Sequence, residues 1–372
     1  MFDPKRAYND LPPLPPAGEV ETKALLKKCI GARAELAELR MAGRLIPNPA
    51  ILTRYILLLE AKDSSEIENI VTTNDALFRA ASLDLENTDP ATKEAISYFR
   101  AITSGFESLQ RRPVSTSTAV AVCSTIKNGE LDVRRIPGTT LKNSQTGEIL
   151  YTPPEGEQNI RNLMSNWETF INDEKGLDPI VRMAIQHYQF EAIHPFPDGN
   201  GRTGRVLNVL CLVQDGLLDQ PILHLSRHIL QTKGEYYRLL TRVTTDHDWQ
   251  AWVIYMLDAV ENTAKWTNGK VRAIVALMDA ASAHIRRHQP KIYSRELVEL
   301  IFELPYCRIG NLVERGVARR QTASQYLSAL AEIGVLNELK FGRDKLFINW
   351  KYSDLLGSDD HAFEPYTMRA AP

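Results

Sequence analysis

The chain has 372 residues, of which 44% are hydrophobic and 24% charged, and its net charge is −2. This length suggests two or three packed units, and the composition is that of a folded, water-soluble protein rather than a disordered or fibrous one. The small net charge excludes a global positive field for nucleic acid or an anionic membrane, so any such binding must be local. The first residues lack a signal-peptide pattern, and no apolar run reaches the roughly 20 residues that a membrane helix needs. We therefore expect a cytoplasmic protein with no membrane partner.

The predicted elements are mainly α-helical. A proline-rich arm over residues 1–20 precedes a first helix over 21–40, which Pro47 and Pro49 stop. Further helices are predicted over 49–61, 90–110, 114–128, 157–173, 178–192 and 248–283. Residues 131–154 are the exception, because two β-prone runs flank a polar, glycine-containing turn and predict a hairpin. Four widely spaced cysteines predict reduced, mostly buried thiols and no zinc site: Cys29, Cys123, Cys211 and Cys307.

The C-terminal part differs from the rest of the chain. Residues 284–289 are predicted to be a linker, and 290–355 contains three predicted helices followed by a hairpin. That order resembles a winged helix-turn-helix, with 319–336 similar to its recognition helix. The side chains that can meet phosphates are Arg319, Arg320, Lys340, Arg343 and Lys345. Ten basic against eight acidic residues over 291–355 leave only +2, so DNA binding and docking of a protein or dimer partner both stay open.

The sequence HPFPDGNGRTGR over residues 194–205 separates a predicted helix that ends near Ala192 from the apolar run 206–213. It therefore predicts a loop followed by a helix N-terminus. Gly199 and Gly201 allow the backbone to turn sharply and to approach a ligand. The first amides of a helix have no intrahelical acceptor, so this end is suited to bind phosphate.

The charged side chains of this loop suit phosphoryl-type transfer. Arg202 and Arg205, three residues apart, project from the same face of the first turn and can clamp a polyphosphate. Asp198 supplies a hard oxygen ligand of the kind that nucleotide-bound Mg²⁺ takes. An imidazole has an ordinary pKa of about 6.5, so His194 can accept a proton from a hydroxyl at neutral pH. We therefore expect His194 to be a general base.

Position by position, these residues match the signature HPFx(D/E)GNGRxxR, and the chain resembles the Fic family. The resemblance implies a fold with a helical-bundle core and an activity, protein adenylyltransfer. In that reaction His194 deprotonates a Ser, Thr or Tyr hydroxyl of a protein, which attacks the α-phosphate of ATP, and pyrophosphate leaves. Asp198 is then the Mg²⁺ ligand. The resemblance also implies a nucleotide site in which Gly199, Asn200 and Gly201 form the anion hole, Arg202 helps to hold the phosphates and Arg205 reaches the γ-phosphate.

The predicted hairpin sits where the family has its target-aligning flap, which is assigned here to Thr139, Thr140, Leu141 and Tyr151. The arrangement of residues 1–85 looks like the N-terminal region that accompanies many bacterial Fic domains. A flap of this kind holds its target mainly through backbone pairing, which is blind to side chains. The sequence therefore does not identify the protein target, and self-modification is one alternative. Oligomeric state is equally open, with a homodimer among the alternatives.

The segment from Ser64 to Asn69 matches the family's inhibitory pattern (S/T)xxxE(G/N), with Glu68 as its acid. In that interpretation Glu68 pairs with Arg205, and an arginine held by a carboxylate cannot also grip the γ-phosphate. The alternative is a helix capping box made by Ser65 and Glu68. Because the Fic motif is present in the same chain, inhibition is the favoured interpretation.

These interpretations predict five segments: an N-terminal region over 1–88, a Fic domain over 89–283, the linker, the C-terminal unit and a tail over 356–372. Three functions compete: AMP transfer, transfer of another phosphate-linked group, and DNA-binding regulation by a chain whose Fic core is a sensor. The intact His194, Asp198 and both arginines favour AMP transfer. Removal of AMP from the same target, which the family associates with its inhibitory glutamate in some members, is a further alternative.

Overall fold

The structure is a computed structural model that describes residues 2–45, 48–83, 88–143, 146–173, 176–341 and 344–366. Pro47 and Arg343, residues 144–145 of the predicted turn and residues 367–372 of the predicted tail lie outside this part of the chain. Within it, the protein is mainly helical, as predicted. No helix there is both long and apolar enough to cross a membrane.

In the described part of the N-terminal half, five helices precede the hairpin and one follows it. In order they are α1 (Lys23–Leu45), α2 (Pro49–Ile67), α3 (Asn74–Leu83), α4 (Pro90–Leu109), α5 (Thr116–Lys127), strands β1 (Leu141–Lys142) and β2 (Ile149–Tyr151), and α6 (Glu157–Asp173). Helix α3 was not predicted, and α2 continues six residues beyond its predicted end.

The C-terminal half begins with the helices around the motif and ends with a small sheet. In order they are α7 (Pro179–Ile193), α8 (Asn200–Gln214), α9 (Leu225–Gln231), α10 (Lys233–Asp246), α11 (Trp249–His288), α12 (Arg295–Glu303), β3 (Tyr306–Cys307), α13 (Ile309–Glu314), α14 (Arg320–Glu332), β4 (Asn337–Phe341), β5 (Asp344–Ile348) and α15 (Trp350–Gly357). The three strands β3–β5 form an antiparallel sheet in the order β3-β5-β4. The predicted order of three helices and a hairpin is confirmed, whereas β3 and α15 were not predicted.

Helix α7 lies at the centre of the fold. Its sequence is apolar nearly all round, as expected for a helix that α6, α8 and α11 enclose. It begins where Asp178 caps the amide of Ile180 at 2.8 Å and Pro179 occupies the first turn, where no backbone donor is needed. Its His187 is fully buried and lies 2.8 Å from the hydroxyl of Tyr236.

The proline-rich arm packs over this core rather than leaving it. Leu11 and Leu14 are buried, and the carbonyl of Pro12 accepts a hydrogen bond from Gln189 of α7 at 2.9 Å. The four cysteines are free and buried, as predicted.

Two predicted boundaries are wrong. Residues 284–288 are not a linker but the last turns of the 40-residue helix α11, because Ile285 is fully buried and His284 binds the carbonyl of Ile333 at 2.8 Å. The helix ends just before Pro290, which cannot continue it. The boundary at residue 355 falls inside α15, whose Leu355 and Leu356 are both buried.

A buried arginine that the sequence did not single out ties the segment before the hairpin to the end of α7. Arg134 donates to the carbonyl of His194 at 2.8 Å and to that of Ile193 at 3.3 Å. It also donates to the carbonyl of Pro154, and its own backbone amide donates to Pro195 at 2.8 Å. These bonds hold the loop that follows α7.

Replacing Arg134 should therefore destabilise the fold. We expect Arg134→Ala to lower the free energy of unfolding by roughly 2–4 kcal/mol, because buried carbonyls lose a charged donor. Its neighbour Arg135, whose side chain is 66% exposed and forms only surface ion pairs, is the matched control and should change stability by less than about 1 kcal/mol. Urea unfolding followed by circular dichroism measures both variants. Equal losses would contradict this role for Arg134.

Candidate functional site

The motif forms a tight loop between two buried helices. His194 ends α7 in a left-handed conformation with φ 50°, and Gly199 precedes α8 with φ 82°. Asn200 closes the loop from within: its side chain accepts from the amide of Phe196 at 2.9 Å and donates to the carbonyl of the same residue at 2.8 Å. Gly199 has no side chain to cap α8, so the first amides of this 15-residue helix receive no side-chain acceptor from the cap. The predicted helix N-terminus with open amides is therefore present.

His194 is held by its backbone rather than by its ring. Its amide donates to Phe190 at 3.0 Å and its carbonyl accepts from Arg134. Within the described chain its Nδ1 is buried and has no hydrogen-bond partner. Burial, reinforced by the charge of Arg134, lowers the pKa of His194 to about 4. The imidazole is therefore neutral at pH 7.

Asp198 lies at the mouth of the loop, with its side chain 67% exposed. One oxygen lies 2.5 Å from the ammonium of Lys127 on α5, and the other accepts from the amide of Gly199 at 2.6 Å. Although partial burial acts to raise the pKa of Asp198, Lys127 holds it below its ordinary value. The described residues contain no cluster of three or more His, Cys, Asp or Glu side chains that would form an all-protein metal cage. A single accessible carboxylate nevertheless suits Mg²⁺, which takes one or two carboxylates together with water and phosphate oxygens.

Both motif arginines are buried and paired with carboxylates from other helices. Arg202 pairs with Glu94 of α4. Arg205, whose side chain is 1% exposed, donates to Glu68 Oε1 at 2.8 Å, to the hydroxyl of Ser64 at 2.8 Å and to the carbonyl of Ser64 at 2.9 Å. The guanidinium of Arg205 thus has three acceptors at the carboxyl end of α2.

The position of Ser65 and Glu68 excludes the capping-box alternative. A capping box requires a helix N-terminus, whereas these residues lie in and just after the last turn of α2. The hydroxyl of Ser65 donates back to the carbonyl of Ala61 at 2.8 Å. Asn69 then leaves the helix with φ 63° and lies 3.4 Å from the ammonium of Lys233.

Glu68 reaches directly over the first turn of α8. A Cβ on Gly201 would lie 2.5 Å from Glu68 Oε1 and 3.1 Å from Arg205 Nη1, so only glycine leaves room for this pair. Burial alone would raise the pKa of Glu68, but the charge and hydrogen bond of Arg205 hold it below its ordinary value. Glu68 is therefore an anion that lies where the amides of α8 open.

The hairpin is shorter than predicted. Leu141 pairs with Tyr151 and Lys142 with Ile149, whereas Thr139 and Thr140 lie before the first strand and do not belong to it. The hydroxyl of Tyr151 donates to Ala192 at the end of α7, at 2.9 Å. This contact anchors the base of the hairpin one turn from His194.

The structure adds four residues that sequence reasoning missed: Glu94, Lys127, Arg134 and Glu191. Glu94, Lys127 and Arg134 each bind a motif residue that lies far away along the chain, so no local sequence pattern marks these three. Glu191 does have a local signal, since it is the one acidic residue in the sequence of α7 and lies three residues before His194.

Sequence profiles of known families cover most of the chain. The profile of the Fic/DOC family N-terminal region matches residues 26–107, and that of the Fic/DOC family matches 115–212. A third profile, for the C-terminal domain of SoFic-like protein adenylyltransferases, matches 277–352.

Curated relatives carry a consistent description. A probable protein adenylyltransferase of Aquifex aeolicus is 29% identical over 181 residues, which cover 47% of this chain and 53% of the relative. The protein adenylyltransferase fic-1 of Caenorhabditis elegans is 32% identical over 145 residues, or 38% of this chain and 26% of the relative. The chain thus spans about half or less of the length of these relatives.

A solved structure extends the likeness over nearly the whole fold. The Fic family protein from Desulfovibrio desulfuricans G20 superposes with a TM-score of 0.55 at 20% identity, over 89% of this chain and 97% of that one. The profile matches show that the chain contains a Fic/DOC family domain together with that family's N-terminal region, and the likeness to the solved structure shows that it shares the fold.

Proposed function

We propose that this chain is a protein adenylyltransferase, which transfers AMP from ATP to a Ser, Thr or Tyr hydroxyl of a protein, and that Glu68 keeps it inhibited. The observation that carries the proposal is the contact of Glu68 and Ser64 with Arg205 beside the open amides of α8. The names of the curated relatives support the same reaction.

His194 is the proposed general base. Its neutral imidazole can take the proton of the target hydroxyl as the oxygen attacks the α-phosphorus of ATP. The new bond joins that oxygen to the α-phosphorus. The bond between the α-phosphorus and the oxygen that bridges it to the β-phosphate breaks, and pyrophosphate leaves with the electron pair of that bond. The negative phosphates of a bound nucleotide would raise the pKa of His194 from about 4 towards the working pH, which strengthens the base.

The start of α8 is the proposed phosphate site. The amides of Asn200 and Gly201 at the positive end of the helix can stabilise the charge that develops on the α-phosphate. Arg202 and Arg205 supply cationic donors for the remaining phosphates. Mg²⁺ would be held by Asp198, where it neutralises phosphate charge. Lys127, which now pairs with this carboxylate, can instead contact a phosphate oxygen.

Glu68 is the proposed inhibitor because it competes with the γ-phosphate for the same guanidinium. A charge-assisted hydrogen bond of this kind contributes about 1.5–3 kcal/mol. While the bond persists, ATP cannot place its γ-phosphate on Arg205, so its α-phosphate is not presented to the hydroxyl in line.

The reaction and its target can be identified together. We would incubate the purified chain with labelled ATP and Mg²⁺ in a lysate of its own source, and analyse labelled bands by mass spectrometry. An added mass of AMP on a hydroxyl residue supports the proposal. Transfer of a different phosphate-linked group, or no transfer by an activated variant, contradicts it.

We further propose that the C-terminal unit binds DNA through α14, where Arg319 at the N-cap and Arg320 at the first helical position are both exposed. Lys340 of β4 is exposed beside this helix, as expected for a winged helix-turn-helix. If the unit binds duplex DNA, gel shifts should weaken steeply as salt rises, because phosphate contacts release counterions. At a fixed salt concentration, Arg319→Ala and Arg320→Ala should each bind the duplex more weakly than the unchanged protein. A unit that forms no salt-sensitive complex with any duplex contradicts DNA binding and favours protein docking.

Replacing the base should stop the chemistry while leaving the site intact. We expect His194→Ala to reduce AMP transfer at least roughly 10²–10⁴-fold in the Glu68→Gly background, since the contribution of a general base is lost. ATP binding, measured by calorimetry, should be nearly unchanged because the amides of α8 and the arginines remain. Substantial residual transfer would exclude His194 as the base.

Removing the inhibitory carboxylate should activate the enzyme. From the strength of the Glu68–Arg205 bond, Glu68→Gly should raise the initial rate of labelling from α-labelled ATP by roughly one to two decades. The control is Glu66→Gly, two residues earlier in the last turn of α2, whose carboxylate pairs with Lys62 rather than Arg205.

Arg205→Ala in the Glu68→Gly background should remove the gain, because the freed guanidinium is then absent. If Glu68→Gly changes only the melting temperature and leaves the rate of the folded protein as it was, the inhibitory role is wrong.

A further inference from the structure

Glu191 is a carboxyl group of the site that the mechanism above does not use. It lies on the last turn of α7, and its Oε1 is buried with no hydrogen-bond partner in the described part of the chain. Gly204 of α8 makes room for it, since a Cβ there would lie 2.6 Å from that oxygen. A buried carboxyl oxygen without a hydrogen-bond partner among the described residues calls for an explanation, because its desolvation is unfavourable.

The surroundings of Glu191 link it to the inhibitory pair. The titratable and charged groups that face it come from four elements: His187 of α7, Arg205 of α8, Tyr236 and Tyr237 of α10, and Glu68 after α2. Burial raises the pKa of Glu191 to about 7, Arg205 acts to lower it and Glu68 acts to raise it. Two carboxyl groups thus lie within electrostatic reach of one buried guanidinium, and Glu68 pairs with it in this structure.

We propose that Glu191 is a reserve counter-charge that positions Arg205: it pairs with the guanidinium when Glu68 withdraws, and it takes up a proton when ATP arrives. This inference rests on the proposed role of Arg205 in binding the γ-phosphate. Arg205 is almost fully buried and cannot lose its proton, so a state in which Glu68 has left would otherwise contain an unpaired buried charge. Withdrawal of Glu68 removes its repulsion of Glu191 and leaves the attraction of Arg205, which favours ionised Glu191.

The proposal has a consequence for the pH dependence of ATP binding. The γ-phosphate carries negative charge towards Arg205, so it favours the protonated form of Glu191. Between the pKa of Glu191 in the free, activated enzyme and its higher pKa in the ATP complex, each ATP that binds therefore takes up close to one proton from solvent. The affinity for ATP should fall as pH rises, by up to about tenfold per pH unit, the limit for one linked proton.

The test compares Glu68→Gly with Glu68→Gly/Glu191→Gln between pH 7.5 and 9, where ATP itself is fully ionised. In the single variant the KM for ATP should rise with pH while kcat changes less. In the double variant, whose glutamine has the same shape and cannot titrate, the KM should be independent of pH. Glu68→Gly/Glu191→Asp should restore the dependence. The same pH dependence in the glutamine variant, or none in the single variant, would overturn the proposal.

A second measurement needs no catalysis. It compares melting temperatures at pH 8 without nucleotide. Glu68→Gln and Glu191→Gln should each lower the melting temperature only slightly, because the other carboxylate can still pair with Arg205. The double variant should lower it by more than the sum of the two single losses, because Arg205 then has no carboxylate. Additive losses would contradict the reserve role. If no variant transfers AMP, the proposed function fails, while this cycle still decides whether the two carboxyl groups share Arg205.

Discussion

The candidate site depends on the need of Arg205 for negative partners. A guanidinium keeps its charge at every accessible pH, and an unpaired charge at 1% exposure is strongly unfavourable. In this structure the hydroxyl and carbonyl of Ser64 and the carboxylate of Glu68 meet that need. A phosphate oxygen is also an anionic acceptor, so the proposed nucleotide would meet the same need. The contact that pairs Arg205 in this structure therefore also indicates which kind of ligand would displace it.

Helix α2 positions these acceptors, and buried polar contacts hold the helix in place. Glu60 is fully buried and accepts from the amide of Ser226 at 2.9 Å and from the hydroxyl of Tyr98 at 3.1 Å. One turn later, Asp63 lies 2.8 Å from the ring of His224. These bonds hold the last turns of α2 on α4 and on the start of α9. Glu68 lies beyond them, after the last helical residue, so its withdrawal requires movement of the following turn and not of the helix.

The sequence predicted the parts of this site that are local and missed those that are not. The loop from His194 to Arg205 carries its own turn glycines, helix start and charges, so its conformation follows from neighbouring residues. The pairing of Glu68 with Arg205 spans 137 residues, and only the family resemblance suggested it. Glu94 is 108 residues from its partner Arg202, and no pattern announces the contact. The linker prediction failed for the same reason, because the burial of Ile285 is a tertiary effect.

The C-terminal unit packs on the opposite side of the same helix. The hydroxyl of Tyr55, nine residues before Ser64 on α2, donates to the carbonyl of Leu356 in α15 at 3.0 Å, and Tyr306 of β3 binds Asp75 of α3. Lys270 of α11 in turn holds the carbonyl of Leu355 at 2.8 Å. A partner of the C-terminal unit can influence the site only if it biases an element with two states. Because α2 contacts that unit on one side and ends at Ile67, next to Glu68, the turn after α2 is the element through which such a bias would act.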